Sequence, residues 1–284
     1  MKSRLFLNLF LAVLLFSLGV YIFSDSSSEQ NFESKLTSLQ KDTISDITII
    51  KTNHFEIALR RELNTWYMLT PYKARANLEA IRLVLDIADI TALSLVDTQS
   101  KDYGLEPASF VLRLDKTEIK FGNVNEVTNE QYIELNDRVF LVKTHYGYNI
   151  PYDPEKLVDR NILGVDETPE IFEYDDWRVE KGTNNKWELT STTSSNTRLS
   201  SAEIGIWAAG WRHTTATQTT PMKRRLVSEK SFKIEMQSGL KVELLIVQDE
   251  EGYLIQRSDE DIIYRVGPDS GKRLLDPYEV AKTL

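Results

Sequence analysis

The chain has 284 residues, enough for one large domain or two modest ones that each bury a core. Its formal net charge is -9; the first 23 residues hold Lys2 and Arg4 and no acid, so the remainder carries 32 basic and 43 acidic residues, a net of -11. Such a body repels a phosphate backbone and argues against nucleic-acid binding, while the absence of cysteine excludes disulfides, thiolate metal sites, thiol catalysis and a lipid-anchored cysteine.

Residues 1–23 read as a signal-anchor transmembrane helix. From Leu5 to Phe23 only Asn8 and Ser17 are polar, and a helix of that length spans about 28 Å, close to the hydrocarbon thickness. Lys2 and Arg4 precede the run and Asp25 and Glu29 follow it, which places the N-terminus in the cytoplasm and the body in the periplasm. Ser17-Leu18-Gly19 satisfies a small-x-small cleavage pattern. The apolar run continues through Val20–Phe23, however, and favours an uncleaved anchor in the bacterial inner membrane. Residues 24–40 are Ser/Glu-rich and read as a linker.

A regular body follows. "DITIIKT" and "FEIALRREL" alternate as strands around Asn53-His54, "TWYMLT" adds a third, and Pro71 ends it. Asn77 caps a helix with Leu78, Ile81, Val84, Leu85 and Ala88 on one face. "ITALSLVD" reads as a short strand. Two hairpins come next, "FVLRL"/"EIKFG" around Asp115-Lys116 and "QYIEL"/"VFLV" around Asn136-Asp137. Residues 151–170, rich in Pro and Asp, read as a junction.

The second half repeats this order. "DDWRVEKG" and "KWELT" flank Gly182-Thr183-Asn184, and Ser200-Ser201-Ala202-Glu203 forms a capping box. The helix after it carries Ile204, Trp207, Ala208 and Trp211 on one face, each 123 residues after Ile81, Val84, Leu85 and Ala88. "FKIEM", a Ser238-Gly239 turn, "KVELLIV", "GYLIQR" and "IIYRV" complete it. Trp66 matches Trp187 and Tyr132 matches Tyr253, both at an offset of 121. The expected fold is α+β: an N-terminal transmembrane helix and two tandem repeats, 41–150 and 171–284, each an antiparallel sheet with one packed helix.

Four motifs carry a family resemblance: "WYMLTPYKARAN" from Trp66 to Asn77, "YGLEP" from Tyr103 to Pro107, Phe121-Gly122, and "QYIEL" at 131–135. Together they resemble the bacterial domain of unknown function 4340 family. The resemblance implies a membrane helix with an exported body, and an auxiliary role beside ABC-type transporters in some relatives. It implies no activity and carries over no catalytic residue.

Chemistry-bearing patterns are sparse. His54, His145 and His213 form no paired metal spacing, and no nucleophile elbow, P-loop or dinucleotide fingerprint occurs. Residues 190–201 are a Ser/Thr-rich loop without an adjacent histidine. The acidic clusters at 173–177, 248–252 and 258–262 lack EF-hand spacing and read as hydrophilic turns. Lys73, Arg75 and Arg82 gather near the first helix start, where a basic loop serves as a weak anion site or a solvated surface. Lys223-Arg224-Arg225 reads as a solvated loop. Trp207 and Trp211 lie on one helix face; most such pairs pack a core, and if exposed they would form a partner or ligand surface.

The expectation is a non-catalytic single-pass protein without cofactor, catalytic or metal site. Its periplasmic body would be an interaction or accessory subunit of an envelope or ABC-type transport complex. The alternative is a periplasmic module binding a glycan, peptide or lipid head group between the repeats, and a more distant one is a carboxylate-based glycan hydrolase.

Overall fold

The computed structural model describes residues 34–51, 56–96, 103–192, 198–228 and 231–281, with the isolated positions 14 and 17. The expected anchor and the Asn53-His54 turn therefore lie outside the described residues, and among those described no helix is long and apolar enough to cross a membrane.

The architecture is α+β, built from antiparallel strands with a few helices. The strands of the first half are β1 (Ser34–Lys35), β2 (Asp46–Lys51), β3 (Glu56–Glu62), β4 (Thr65–Thr70), β5 (Ala74–Arg75), β6 (Thr91–Ala92), β7 (Ser94–Leu95), β8 (Phe110–Leu114), β9 (Thr117–Asn125), β10 (Glu130–Leu135) and β11 (Arg138–Lys143). Nine of them form a sheet ordered β5-β4-β3-β2-β8-β9-β10-β11-β7. Helix α1 (Leu78–Leu85) connects β5 to the short strands β6 and β7, and α2 (His145–Tyr148) follows β11. The second sheet contains β12 (Pro169–Tyr174), β13 (Trp177–Lys181), β14 (Trp187–Ser191), β15 (Gln218–Pro221), β16 (Ser231–Met236), β17 (Lys241–Asp249), β18 (Gly252–Arg257) and β19 (Ile262–Val266). Its order is β14-β13-β12-β16-β17-β18-β19-β15. Apart from β5, the two orders correspond strand for strand. In each, a three-strand meander leads to a helix, then to a strand that docks at the far edge, and a four-strand meander returns through the middle.

Period-two alternation is the local cause of these strands. Ile47 and Ile49, Ile57 and Leu59, and Trp66 and Met68 point inward from neighbouring strands while their neighbours stay partly exposed. Each such side chain contributes about 1.5–3 kcal/mol by leaving water. The turns supply the reversals: Asn136 and Asp137 both have positive φ (52° and 58°), the geometry of a tight two-residue hairpin. The Asn77 side chain accepts hydrogen bonds from the backbone N–H groups of Glu79 and Ala80, which starts α1. The face of α1 differs in part from its expected composition: Ala80, Ile81 and Val84 are buried, while Leu78 is 39% exposed.

In the second half, α4 (Ser201–His213) begins with the expected capping box between Ser200 and Glu203. It packs against β14 and against two C-terminal helices, α5 (Pro268–Leu275) and α6 (Tyr278–Ala281), so this unit has more than the single helix read from sequence. Strands β5, β12 and β15 are also additions. β12 falls partly within the segment read as junction and partly within the acidic cluster at 173–177, where β-propensity was masked by charge.

The segment between the halves is packed rather than loose. It holds α3 (Pro154–Leu157), and Leu157, Val158, Ile162 and Leu163 are almost fully buried. Part of the expected linker is also docked. β1 pairs with β6, Leu36 packs against the core, and Lys35 and Lys41 form ion pairs with Asp89.

Candidate functional site

The two sheets meet at a buried network of charged side chains built from three parts of the chain. β5 supplies Arg75, the segment between the sheets supplies Asp159 and Glu167, and the end of β18 with the following turn and β19 supplies Arg257, Asp259, Glu260 and Tyr264. Backbone bonds set the frame. Asp159 N–H donates to the Arg75 carbonyl, Ile162 N–H to the Thr214 carbonyl, and Asp261 N–H to the Lys73 carbonyl.

Arg75 is 2% exposed and reaches both other parts. Its Nε donates to Glu260 Oε1 at 2.6 Å and its Nη1 to Glu167 Oε2 at 3.3 Å. Its Nη2 donates to the carbonyls of Asn161 (2.7 Å) and Ile162 (3.1 Å) and to the Tyr264 hydroxyl (3.1 Å). Arg257, fully buried, forms one two-pronged pair with Glu167 (2.8 and 2.6 Å) and another with Asp259 (3.0 and 2.9 Å). The Tyr264 hydroxyl donates to Glu260.

Burial opposes charge on both arginines, yet the surrounding acids outweigh it and raise both above their ordinary values. Burial likewise pushes Glu167 and Asp259 up, but hydrogen bonds from Arg257 win and hold both carboxylates below the usual range. Asp159 differs: burial dominates and its carboxyl is raised. The network is a set of ion pairs whose chemistry is structural, because each buried arginine is engaged by a carboxylate from another part of the chain.

Two neighbouring clefts open beside this network. One, of about 510 Å³, lies among the β3–β4 turn, α1, residues 164–167 and the β16–β17 turn. The other, of about 460 Å³, includes Asn161, Leu163, Arg212 and His213, and both share Leu78, Asp159, Gly164 and Val165.

The residues singled out from sequence fall as follows. Trp207 and Trp211 are 1% and 0% exposed, and so do not form a partner or ligand surface. They enclose Phe172 with ring centroids at 4.8 and 5.9 Å, and Trp207 Nε1 donates to the Arg273 and Leu274 carbonyls. A helix face that looks able to bind a ligand is here a core face, because it packs on the sheet aromatics Phe172 and Phe232, with α5 closing over the Trp207 indole. Lys73, Arg75 and Arg82 do not converge: Arg75 turns inward, Arg82 pairs with Glu79 on the surface and Lys73 is exposed. The acidic cluster at 258–262 is no solvated turn, since the Glu260 side chain is wholly buried. Asp249 and Glu251 of the cluster at 248–252 pair with Arg265 on the surface. His213 lies in the last turn of α4, and His145 lies in α2 against Tyr146. Among the described residues no group of His, Asp or Glu has the geometry to hold a metal ion. Sequence reasoning missed Glu167, Arg257 and Tyr264; Arg257 and Tyr264 have the near partners Asp259 and Glu260, but the contacts that join them to the other parts of the chain span 90 and 189 positions.

The fold and the interlock define an α+β protein of two similarly wound antiparallel sheets joined through a charged interior. The family model described as Domain of unknown function (DUF4340) matches residues 66–215, more than half of the chain, and the chain belongs to that family. The matched stretch contains Arg75, Asp159, Glu167, Trp207 and Trp211 and ends before Arg257, Glu260 and Tyr264. No curated protein and no solved structure matches the chain.

Proposed function

We propose that this protein is a non-catalytic, membrane-anchored envelope protein, an interaction or accessory subunit of a transport or other envelope complex. In this reading residues 1–23 are the anchor in the bacterial inner membrane, the body is periplasmic, and the body is a tandem duplication of one sheet-and-helix unit. The equivalent strand orders of the two sheets support the duplication.

The observation that carries the functional reading is the interlock. The buried acids and bases at the meeting of the sheets are engaged with one another, as in a scaffold built to hold two halves in fixed relation. A rigid body of this kind presents a constant surface to a partner at low entropic cost. The test is in-cell crosslinking and affinity isolation of the full-length protein from membranes, with an anchor-only control. A reproducible transporter or envelope subunit that depends on residues 41–284 is expected; a blank would remove the accessory role.

A second reading, binding of a glycan, peptide or lipid head group between the halves, is favoured by the two neighbouring clefts there. Saturable protection of the full-length protein against heat by a member of a periplasmic metabolite panel would support it.

A further inference from the structure

Four exposed aliphatic side chains line the larger cleft, and they come from four separate parts of the chain. Leu63 is 97% exposed, Val165 67%, Leu240 44% and Leu78 39%. Scattered exposed leucines need no explanation, but convergence on one cleft does.

Leu63 carries the most information. It stands in the β3–β4 turn with φ of 56°, in the left-handed region. Glycine or asparagine occupies that region with less strain than leucine. The side chain is exposed and the backbone is strained, so neither packing nor turn geometry accounts for a leucine there. Strain kept at an exposed apolar residue points to use of that residue by something outside the fold.

The charge of the cleft is one-sided. Glu62 and Asp166 line it, both are exposed, and neither has an ion-pair partner among the described residues. The guanidinium that lines it, Arg75, is already engaged by Glu260 and Glu167. Tyr67 also lines the cleft, and its hydroxyl has no hydrogen-bond partner among the described residues. An apolar rim with uncompensated carboxylates complements aliphatic side chains flanked by cations. A second copy of this chain is disfavoured, because a two-fold contact through this cleft would set one acidic rim against another.

We propose that this cleft is a docking groove for an extended segment of a partner protein that presents one or two aliphatic side chains flanked by lysine or arginine. The proposal rests on the interaction-subunit reading and specifies where and by what chemistry the partner is held.

The test uses full-length protein in nanodiscs and fluorescein-labelled peptide pools of about ten residues, a length suited to an extended segment. One pool mixes leucine with lysine; matched pools replace lysine by glutamate or leucine by serine. The leucine/lysine pool is expected to bind, and both matched pools to bind more weakly by about tenfold or more. The double variant Glu62→Lys/Asp166→Lys should lose about the same factor. Leu63→Asn should weaken binding while raising the melting temperature, a combination that a purely structural role for Leu63 would not produce. Equal binding of the glutamate pool, no binding by any pool, or unchanged affinity in these variants would overturn the groove.

Membrane crosslinking separates the two levels. A partner captured equally by wild type and by a Leu63→Asn/Leu240→Asp variant overturns the groove and leaves the accessory role intact. No partner from wild type overturns both. Sedimentation showing self-association that the same variant abolishes assigns the cleft to a second copy and overturns the proposal.

Discussion

Replacing Glu260 by alanine removes the fully buried carboxylate that holds Arg75 at 2.6 Å. The Arg75 guanidinium, 3% exposed, would keep Glu167 at 3.3 Å and two carbonyls, while Nε loses its acceptor. The Tyr264 hydroxyl would lose its acceptor as well. Breaking a buried pair from one side costs about 3–5 kcal/mol, a large part of a total stability of about 5–15 kcal/mol. About 4 kcal/mol is expected for Glu260→Ala. The double change Arg75→Met/Glu260→Leu removes both charges together. Ile162 and Glu167 then keep Arg257 as a donor, and the new orphans are uncharged: the Asn161 carbonyl, the backbone N–H of residue 75 and the Tyr264 hydroxyl. The double change should cost about 1–3 kcal/mol for each orphaned group, with no unpaired buried charge left, so it should fall below the sum of the single changes. Reversible urea denaturation at pH 7, followed by tryptophan fluorescence and far-ultraviolet circular dichroism, measures all corners of the cycle. A loss below about 1 kcal/mol for Glu260→Ala, or additive singles, would refute the interlock as a source of stability.

The acid response follows from the carboxylates. Glu167 and Asp259 are pushed up by burial but held below their ordinary values by Arg257. Their contribution is therefore present above the unfolded-state values and is lost as pH falls through the folded ones, so urea midpoints should drop steeply below about pH 4. Asp159 has the opposite sign: its folded value is raised, so its ionisation costs stability as pH rises. Asp159→Asn should raise the urea midpoint at pH 7, and the gain should vanish at pH 3. Trp207→Phe strips a donor from two carbonyls and should lose about 1–2 kcal/mol beyond its volume loss. Trp211→Phe should cost less in thermal denaturation, since Trp211 Nε1 is buried without a hydrogen-bond partner among the described residues; an equal or larger loss would contradict this. Gly252→Ala drives a Cβ into the Val266 carbonyl oxygen at φ of 138° and should cost about 2 kcal/mol or more, read from the same denaturation curves.

Local elements were legible because their causes are local. Alternation in "DITIIK", "TWYMLT" and "QYIEL", the Asn136-Asp137 turn, and the caps at Asn77 and Ser200 each depend on neighbours within a few positions, and all form as read. The offsets linking Trp66 to Trp187 and Tyr132 to Tyr253 fall on corresponding strands, β4 with β14 and β10 with β18. Only the tertiary structure decided which polar residues turn inward. Arg75 and Glu260 look like surface charges in their own segments, and Glu167 lies in a stretch that reads as a connector. Burial of a charge is tolerated only when a distant partner offsets its desolvation, and that partner has no trace in the local sequence. The same holds for the aromatic pair and for Leu63. One-sided spacing placed Trp207 and Trp211 on a face, but packing against Phe172 and Phe232 of the sheet made that face interior. Leu63, read as the end of a strand, emerges in a turn at the rim of a cleft because other segments fold up beside it.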